Sequence, residues 1–278
     1  MHRLETLEAY IPVDLNDPRA FLAAVLMVYM VIAGRYMAIA GVFHWLFYKL
    51  AVAPGRQIYK KLPTAREMLY EIRWSLLTSV VFAVAGVFMG WLWQEGYTQI
   101  YLRFDQYGWA YFFAAPLIYT VLHDTYFYWT HRWMHHKAIY QQVHSVHHAS
   151  LKPSAWASFS FHPIESIIEA AILPLLVLFV PIHPMMLIWH LTFMTLTAVI
   201  NHLGFEVLPR NSFGRFVGHW FITGSHHSQH HRFFNYNYGL FFTVWDRVCG
   251  TNHPSYDKVL DERLAPASSS QSLKTVSS

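Results

Sequence analysis

The sequence predicts an all-α fold, a multi-pass bundle of transmembrane helices with a helical cap on its cytoplasmic side. Charged residues make up 13% of the 278 residues and hydrophobic residues 54%, whereas soluble globular domains average about 25% charged residues. Several apolar stretches reach the length of about 20 residues that a helix needs to cross a bilayer. Sixteen of the 19 histidines fall between His123 and His231. A soluble globular protein is therefore excluded, and the polar side chains concentrate in one part of the chain.

Residues 1–106 are predicted to hold the first two membrane spans and a basic loop. Residues 21–48 are apolar except for Arg35, and residues 74–93 carry no charge. Cytoplasmic loops are enriched in lysine and arginine, so the connection between these spans is predicted to be cytoplasmic. Its basic residues are Lys49, Arg56, Lys60, Lys61, Arg66 and Arg73.

A third span is predicted over residues 107–130. It becomes polar near its end, at His123 and Asp124, and ionisable groups within a membrane span usually have a functional role. The preceding loop, residues 94–106, carries Arg103 as its only cation. That loop is predicted to lie on the outer side.

Residues 170–200 contain no acidic residue, lysine or arginine, and Pro181 and Pro184 divide them. Because proline interrupts helices, we expect a tight helical hairpin. This topology places every dense histidine cluster on the cytoplasmic side of an integral multi-pass membrane protein, in the endoplasmic reticulum of a eukaryote or the inner membrane of a bacterium. Residues 256–278 are predicted to form a disordered tail, because the Ser-rich end of the chain offers little apolar surface to bury.

Three short segments repeat a spacing that suits metal binding. Histidines at i and i+4, or at i, i+3 and i+4, lie on one face of a helix and can converge on one ion. Each of the three segments is therefore predicted to present its ligands on one helical face. The eight histidines concerned are His131 and His135, then His144, His147 and His148, and finally His227, His230 and His231.

Eight imidazoles are too many for one tetrahedral or octahedral ion, so the spacing predicts two metals. His202 is a ninth predicted ligand, with Glu206 at i+4 if the helix continues past Gly204. Asp124 is predicted to accept a hydrogen bond from the second nitrogen of a ligand histidine. We expect His123, Asp124 and Glu206 around the ligands rather than among the principal ones.

Several chemistries are excluded by what the sequence lacks. Its single cysteine, Cys249, cannot hold an iron–sulfur cluster or attach a c-type haem. The sequence contains no phosphate-binding loop, dinucleotide fingerprint, H-E-x-x-H helix or G-x-S-x-G elbow. A redox enzyme of this kind would take its electrons from a separate protein.

These histidine motifs resemble those of the fatty acid hydroxylase and sterol desaturase superfamily of membrane oxidases. H-x-x-x-H, H-x-x-H-H and H-x-x-H-H occur in that order, and the resemblance covers residues 107–255. Residues 158–163 and 230–239, with Trp245-Asp246-Arg247, are most similar to the sterol C5-desaturase (lathosterol oxidase) branch. The fatty acid hydroxylase branch carries a further histidine near the position of Glu206, so the sequence departs from that branch.

The resemblance implies a catalytic domain over residues 107–255 that holds two iron ions and uses O2 to oxidise a C–H bond. The eight histidines of the three segments would be catalytic, and all nine would bind metal. The substrate would be an apolar lipid from the bilayer, such as a sterol, which is desaturated with electrons from a cytochrome b5-like or ferredoxin-like donor. No nucleic-acid partner is expected.

Two alternatives stay open on the sequence. A lipid hydroxylase acting on a fatty acyl chain, sterol or carotenoid would use the same site, and a histidine-rich metal transporter or sensor would use the same ligands. Arg132, Arg232 and Arg247 are candidates for docking an acidic electron donor, but juxtamembrane cations also bind anionic lipid headgroups.

Overall fold

The protein is all-helical in a computed structural model that describes residues 11–265. Five long helices form a bundle, and shorter helices cover one end of it. The long helices are α1 (Pro18–His44), α2 (Ala65–Gln94), α3 (Trp109–Met134), α6 (Pro163–Phe179) and α7 (Pro184–His202). The short helices are α4 (Tyr140–Val143), α5 (Ser145–His148), α8 (Ser212–Trp220), α9 (Gly224–Phe233), α10 (Val244–Val248) and α11 (Tyr256–Leu264). The predicted fold class is confirmed.

The starts of the long helices follow local capping rules. The side chain of Asp17 accepts a hydrogen bond from the backbone of Arg19 and Pro18 opens α1, a position where proline costs no hydrogen bond. Thr64 and Glu67 form a reciprocal capping box at the start of α2, which satisfies two otherwise unpaired backbone donors. Helix α1 continues into one π-helical turn, Trp45–Lys49.

Three of the helices in residues 11–265 are long and apolar enough to cross a membrane: Pro18–Lys49, Ala65–Gln94 and Pro184–His202. The predicted interruption is confirmed as a break between α6 and α7, with His183 capping α7 through the backbone of Met185. The two helices make few direct contacts with each other, so the tight hairpin that we expected is not formed. Helix α6 has only 17 residues. Helix α3 has the length of a span, but its last turn carries His131 and Arg132. Of the five helices that we expected to cross the membrane, α6 is therefore shorter than the three candidates, and α3 is more polar at its end.

Three of the long helices carry ionisable side chains at the same end of the bundle. The last turns of α3 and α7 carry histidines, and the first turn of α6 carries Glu165. At the opposite end, the loop before α3 contacts the last turn of α6 and the α6–α7 turn: the backbone of Gln99 donates to Val177 O at 2.7 Å, and that of Tyr101 donates to Ile182 O at 3.1 Å. One end of the bundle is thus a polar cap, and the other is an apolar turn region.

The basic loop after α1 packs against the cap. The backbone of Ile58 donates to Gly204 O at 2.8 Å, and the Tyr59 hydroxyl donates to Ser228 Oγ at 2.8 Å. The guanidinium of Arg56 donates to the carbonyl oxygens of Glu206 and Leu208. Part of the amino-terminal region therefore supports the histidine-rich region directly.

The chain after residue 255 differs from the prediction. Helix α11 lies within the predicted disordered tail, and Tyr256, Leu260 and Leu264 are buried on one of its faces. The i, i+4 and i+8 spacing of these three side chains gives the helix an apolar stripe. The tail prediction is wrong for this segment, and residues 266–278 lie outside the described residues.

We predict that Leu260→Ala destabilises the cap. Leu260 is 3% exposed, and truncating a buried leucine typically lowers the free energy of unfolding by about 2–5 kcal/mol. Thermal unfolding of the purified protein in detergent checks this, with the exposed Lys258→Ala on the same helix as the control. Equal loss in the two variants would mean that α11 does not stabilise the cap.

Candidate metal centre

Nine histidine side chains lie in two groups, each with its ligand nitrogens within 4.8 Å of one another. They are the nine residues that the sequence predicts as ligands. The first group is His131, His135, His144, His148 and His230, and the second is His147, His202, His227 and His231. The spatial convergence expected from spacing is therefore present across α3, α5, α7 and α9.

The two groups divide the histidine segments differently from the prediction. His144 and His148 belong to the first group but His147 belongs to the second. In the same way, His230 faces the first group while His227 and His231 face the second. The prediction that each segment gives all its ligands to one face is therefore wrong. The residues at i and i+4 share a direction, and the remaining histidine is rotated towards the other group.

Within each group the Nε2 atoms point at one another. Nε2 of His131 lies 3.0 Å from Nε2 of His144, and Nε2 of His202 lies 3.4 Å from Nε2 of His147. Nε2 of His227 lies 2.8 Å from Nε2 of His202. These atoms therefore crowd into two small volumes.

Outward hydrogen bonds fix which nitrogen of several rings carries the proton. A carbonyl oxygen only accepts, so a ring nitrogen that contacts one must donate. Nδ1 of His131 donates to Tyr238 O at 2.9 Å, and Nδ1 of His230 donates to Tyr236 O at 2.7 Å. Nδ1 of His202 donates to Ala198 O at 2.8 Å. The Nε2 atoms of these neutral rings therefore carry lone pairs.

The lone pairs meet without a proton between them. Nδ1 of His147 faces Ser160 O at 3.3 Å, so Nε2 of His147 and Nε2 of His202 are both acceptors. Facing acceptors repel one another unless a cation lies between them, and imidazole nitrogens suit Zn, Cu, Fe and Ni ions. Both groups therefore fit a bound metal ion better than a set of hydrogen bonds.

Glu165 is the carboxylate beside the first group, and the sequence did not identify it. Its Oε1 accepts from Nδ1 of His144 at 2.6 Å, with both side chains buried. Such a carboxylate orients a ligand histidine and increases its basicity. Its only sequence signal is its place in His162-Pro163-Ile164-Glu165, which also reads as an ordinary helix start.

Asp124 does not contact a ligand histidine as predicted. Its Oδ1 accepts from the backbone amides of Leu240, Phe241 and Phe242 at 2.7–3.2 Å. Without Asp124, these three consecutive backbone donors would be buried without hydrogen-bond partners, which is energetically costly. Asp124 therefore fixes a loop rather than a ring nitrogen.

Asp246 holds the same loop from its other side. Its two oxygens accept from the backbone amides of Tyr238 and Gly239 at 2.8 and 2.9 Å. Burial raises the pKa of Asp246 to about 6. Because Tyr238 O accepts from His131, the two aspartates position a ligand through the backbone.

Glu206 also departs from its predicted role. Helix α7 ends at His202 and Gly204 has a positive φ of 77°, so Glu206 is not one helical turn beyond His202. Its carboxylate accepts instead from the backbone of Ser225 at 3.2 Å, near the start of α9. The favourable interaction of an anion with a helix N-terminus explains this placement.

His123 lies outside both groups. Its Nδ1 is 3.3 Å from Nε2 of His190, a histidine on α7 that is fully buried. His123 contributes to a cavity wall rather than to the orientation of a ligand. The prediction that it supports a ligand directly is therefore not met by its contacts.

Burial keeps the cap histidines neutral. Desolvation, reinforced by neighbouring imidazoles, lowers the pKa of His144, His147 and His148 well below its ordinary value. The same causes lower the pKa of His227, His230 and His231 well below that value. Neutral imidazole is the form that binds metal.

A cavity of about 380 Å³ joins the histidine groups to the interior of the bundle. Apolar side chains from α1, α2, α6 and α7 form most of its wall, including Val28, Met89, Leu173 and Ile188. Five histidines of the two groups also line it: His131, His144, His147, His202 and His227. A long apolar molecule in this cavity would therefore end beside the histidines.

The model of the family "Fatty acid hydroxylase" matches residues 116–251. This range contains all nine histidines. The three candidate membrane helices, Pro18–Lys49, Ala65–Gln94 and Pro184–His202, make the chain an integral membrane protein, and the region that matches the family model begins inside α3.

Sterol-modifying enzymes are among the relatives. The chain is 30% identical to mouse (Mus musculus) lathosterol oxidase over 165 residues, which is 58% of this chain and 53% of the relative. It is 30% identical to the Delta(7)-sterol 5(6)-desaturase ERG3B of Gibberella zeae over 162 residues, 57% of this chain and 47% of the relative. The chain thus spans about half the length of these curated relatives. No solved structure matches it.

We predict that Glu165→Gln weakens metal binding. Glutamine keeps the shape but removes the charge that polarises His144, and loss of such a partner typically costs 10- to 100-fold in metal affinity, roughly. Metal titration of the demetallated protein checks this, with the exposed Glu262→Gln as the control. An unchanged affinity in Glu165→Gln would show that Glu165 does not support a ligand.

We also predict that metal is lost as the pH falls below about 6.5, the ordinary pKa of histidine. The lowered pKa values mean that the unfolded chain binds more protons than the folded one below that pH. Both the free energy of unfolding and metal retention therefore decrease with falling pH. Metal content after dialysis over a pH series checks this. Complete retention at strongly acidic pH would contradict an all-histidine ligand set.

Proposed function

We propose that the protein is a membrane-bound di-iron oxidase that desaturates a sterol or a similar apolar lipid. The observation that carries this proposal is the shared cavity. The same cavity is lined by apolar side chains of the membrane helices and by histidines of both groups. A lipid can enter such a space from the bilayer without crossing water.

The nine grouped histidines are the residues that would hold the metal ions. When bound, two irons would supply the O2 activation that breaking an unreactive C–H bond requires. Imidazole ligands suit iron, although zinc and copper bind the same donors at least as strongly. Iron is therefore a proposal that rests on the donor set and on the resemblance of the histidine motifs.

The chain's own residues orient and enclose the reaction. Glu165 holds His144, and the backbone carbonyls of Tyr236 and Tyr238 hold His230 and His131. The apolar wall excludes water from the substrate, which limits side reactions of an activated oxidant. The described residues would therefore orient the metal ligands and keep water away from the substrate.

Desaturation removes one hydrogen from each of two adjacent carbons and reduces O2 to two waters with two external electrons and two protons. The sequence has one cysteine and no dinucleotide fingerprint, so we propose a separate cytochrome b5-like or ferredoxin-like donor. Arg132 and Arg232 are exposed near the cap and suit an acidic donor. Arg247 is already paired with Asp257 at 2.7 Å.

Hydroxylation is the second candidate reaction, and the family description favours it. Both reactions begin by removing a hydrogen atom from the lipid. They differ in whether an oxygen is inserted or a second hydrogen is lost. The mass of the product distinguishes them.

We predict that His147→Ala and His230→Ala each abolish product formation, because each removes one ligand from a different group. Lipids from cells that express each variant are compared by mass spectrometry with lipids from wild-type cells. A product lighter by two hydrogens supports the desaturase, and a product heavier by one oxygen supports the hydroxylase.

The matched control is His136→Ala, an exposed histidine beside the first group that belongs to neither group. It should retain full activity with the same membrane abundance as the other variants. Normal turnover in His147→Ala or His230→Ala would refute the assignment of that residue to the site.

A further inference from the structure

One side of the cap exposes large apolar side chains. They lie on α8, directly after it and on α10, and each is 41–73% exposed. Single exposed apolar side chains are ordinary on protein surfaces, whereas a group of them marks contact with another molecule or with a membrane. We call these side chains the apolar face of the cap: Phe213, Phe216, Trp220, Phe221, Val244 and Val248.

The packing of α8 determines which way its aromatic residues point. Its two glycines, Gly214 and Gly218, are buried. There is no room for a Cβ atom at either position, because it would collide with Pro209 at the first and with Leu260 of α11 at the second. The three aromatic residues of α8 have the spacing i, i+3 and i+7, so they share the opposite side of the helix.

Helix α11, which covers the glycine side of α8, is charged on its own outer surface. Lys258 and Glu262 are well exposed there. An ion pair joins the two helices, with Nε of Arg215 at 3.5 Å from Oδ1 of Asp261. Helix α8 therefore separates a charged surface from an apolar one, as does a helix that lies in the plane of a membrane interface.

Helix α3 indicates the depth of the apolar face in the membrane. Trp109 and Trp129 are exposed on α3 and twenty residues apart, which is about 30 Å along a helix and equals the thickness of the hydrocarbon core. Tryptophan is enriched at both membrane–water interfaces, so Trp129 marks the interface on the cap side. Asp124 and Thr125 precede Trp129 by about one helical turn, towards the hydrocarbon core.

Three contacts connect the apolar face to this level of α3. The backbone of Phe242 donates to Oδ1 of Asp124 at 3.1 Å, and Nε1 of Trp245 donates to Oγ1 of Thr125 at 3.1 Å. Phe221 and Phe242 form an antiparallel bridge, and their ring centroids are 5.2 Å apart. The part of the apolar face at Phe221 and α10 is therefore held at the depth of the hydrocarbon core.

This depth favours lipid over a protein as the partner of the apolar face. The ring of Trp245 on α10 contacts the exposed ring of Trp129 on α3, with centroids 5.7 Å apart. The apolar face thus continues the outer surface of a membrane helix. Burying apolar side chains among acyl chains removes them from water, whereas a soluble partner would first have to displace the lipid at this depth.

We propose that α8 and α10 are embedded in the cap-side leaflet of the membrane, with the apolar face among the acyl chains of phospholipids and α11 in water. The proposal does not depend on the reaction that the protein catalyses. It bears on the candidate metal centre, because the loop between α9 and α10 carries the Tyr238 carbonyl that accepts from His131. Lipid contact would therefore stabilise the segments that hold this loop.

The test is the accessibility of nitroxide spin labels on the purified protein in phosphatidylcholine nanodiscs. Cys249→Ser removes the native thiol, and single cysteines are then introduced and labelled. Phe216→Cys and Val248→Cys place labels on the apolar face. Met30→Cys, at an exposed position within the first candidate membrane helix, is the lipid reference, and Lys258→Cys on α11 is the water reference.

O2 concentrates in the bilayer, whereas a nickel(II) chelate stays in water. The labels at Phe216→Cys and Val248→Cys should collide with O2 more often than with the chelate, as the label at Met30→Cys does. The label at Lys258→Cys should show the reverse. Each label replaces an exposed side chain, so thermal unfolding of the labelled proteins should match that of Cys249→Ser.

The inference is overturned if the chelate reaches either label of the apolar face as readily as it reaches Lys258→Cys, because that position would then lie in water. Exclusion of both O2 and the chelate also overturns it, since protein would then cover the face. Spin–spin coupling that disappears on dilution with unlabelled protein would identify that cover as a second copy of the chain.

Discussion

The mutual repulsion of buried, neutral imidazoles is the constraint on which the site depends. The Nε2 atoms of nine histidines converge in two volumes, and the Nδ1 atoms of several of these rings donate to outward acceptors. Where two facing nitrogens are both acceptors, as in His147 and His202, they repel one another unless a cation lies between them. The two groups are therefore candidate metal positions in the cap, and a bound metal ion would contribute to its stability.

The parts that orient these rings come from distant regions of the chain. Asp124 on α3 and Asp246 on α10 accept hydrogen bonds from backbone amides of one loop. The Tyr238 carbonyl of this loop accepts from His131. Glu165 reaches His144 from the first turn of α6. The membrane helices therefore position the histidines of the two groups as well as line the cavity.

Histidine spacing was sufficient to predict eight of the nine convergent residues, because i and i+4 positions share a helical face whatever the tertiary fold. His202 is the exception, since the helix ends there and Glu206 does not follow one turn later. It could not predict how His147 and His148 divide between two groups, since that depends on where each group lies relative to α5. The partners of Asp124 and Glu165 were also beyond prediction. Asp124 bonds to amides more than 100 residues away, and a single sequence carries no signal for such contacts. The helix at residues 256–264 was missed because its three buried residues lie beside a Ser-rich end.

The central claim is that the two histidine groups are two separate metal sites. It is tested by counting the iron bound to each protein molecule after anaerobic reconstitution with Fe(II), using elemental analysis. The wild type should bind two irons, while His135→Ala in the first group and His202→Ala in the second should each retain about one, because each variant leaves the other group intact. A wild type that binds a single iron, or a variant of one group that loses both, would contradict two independent sites.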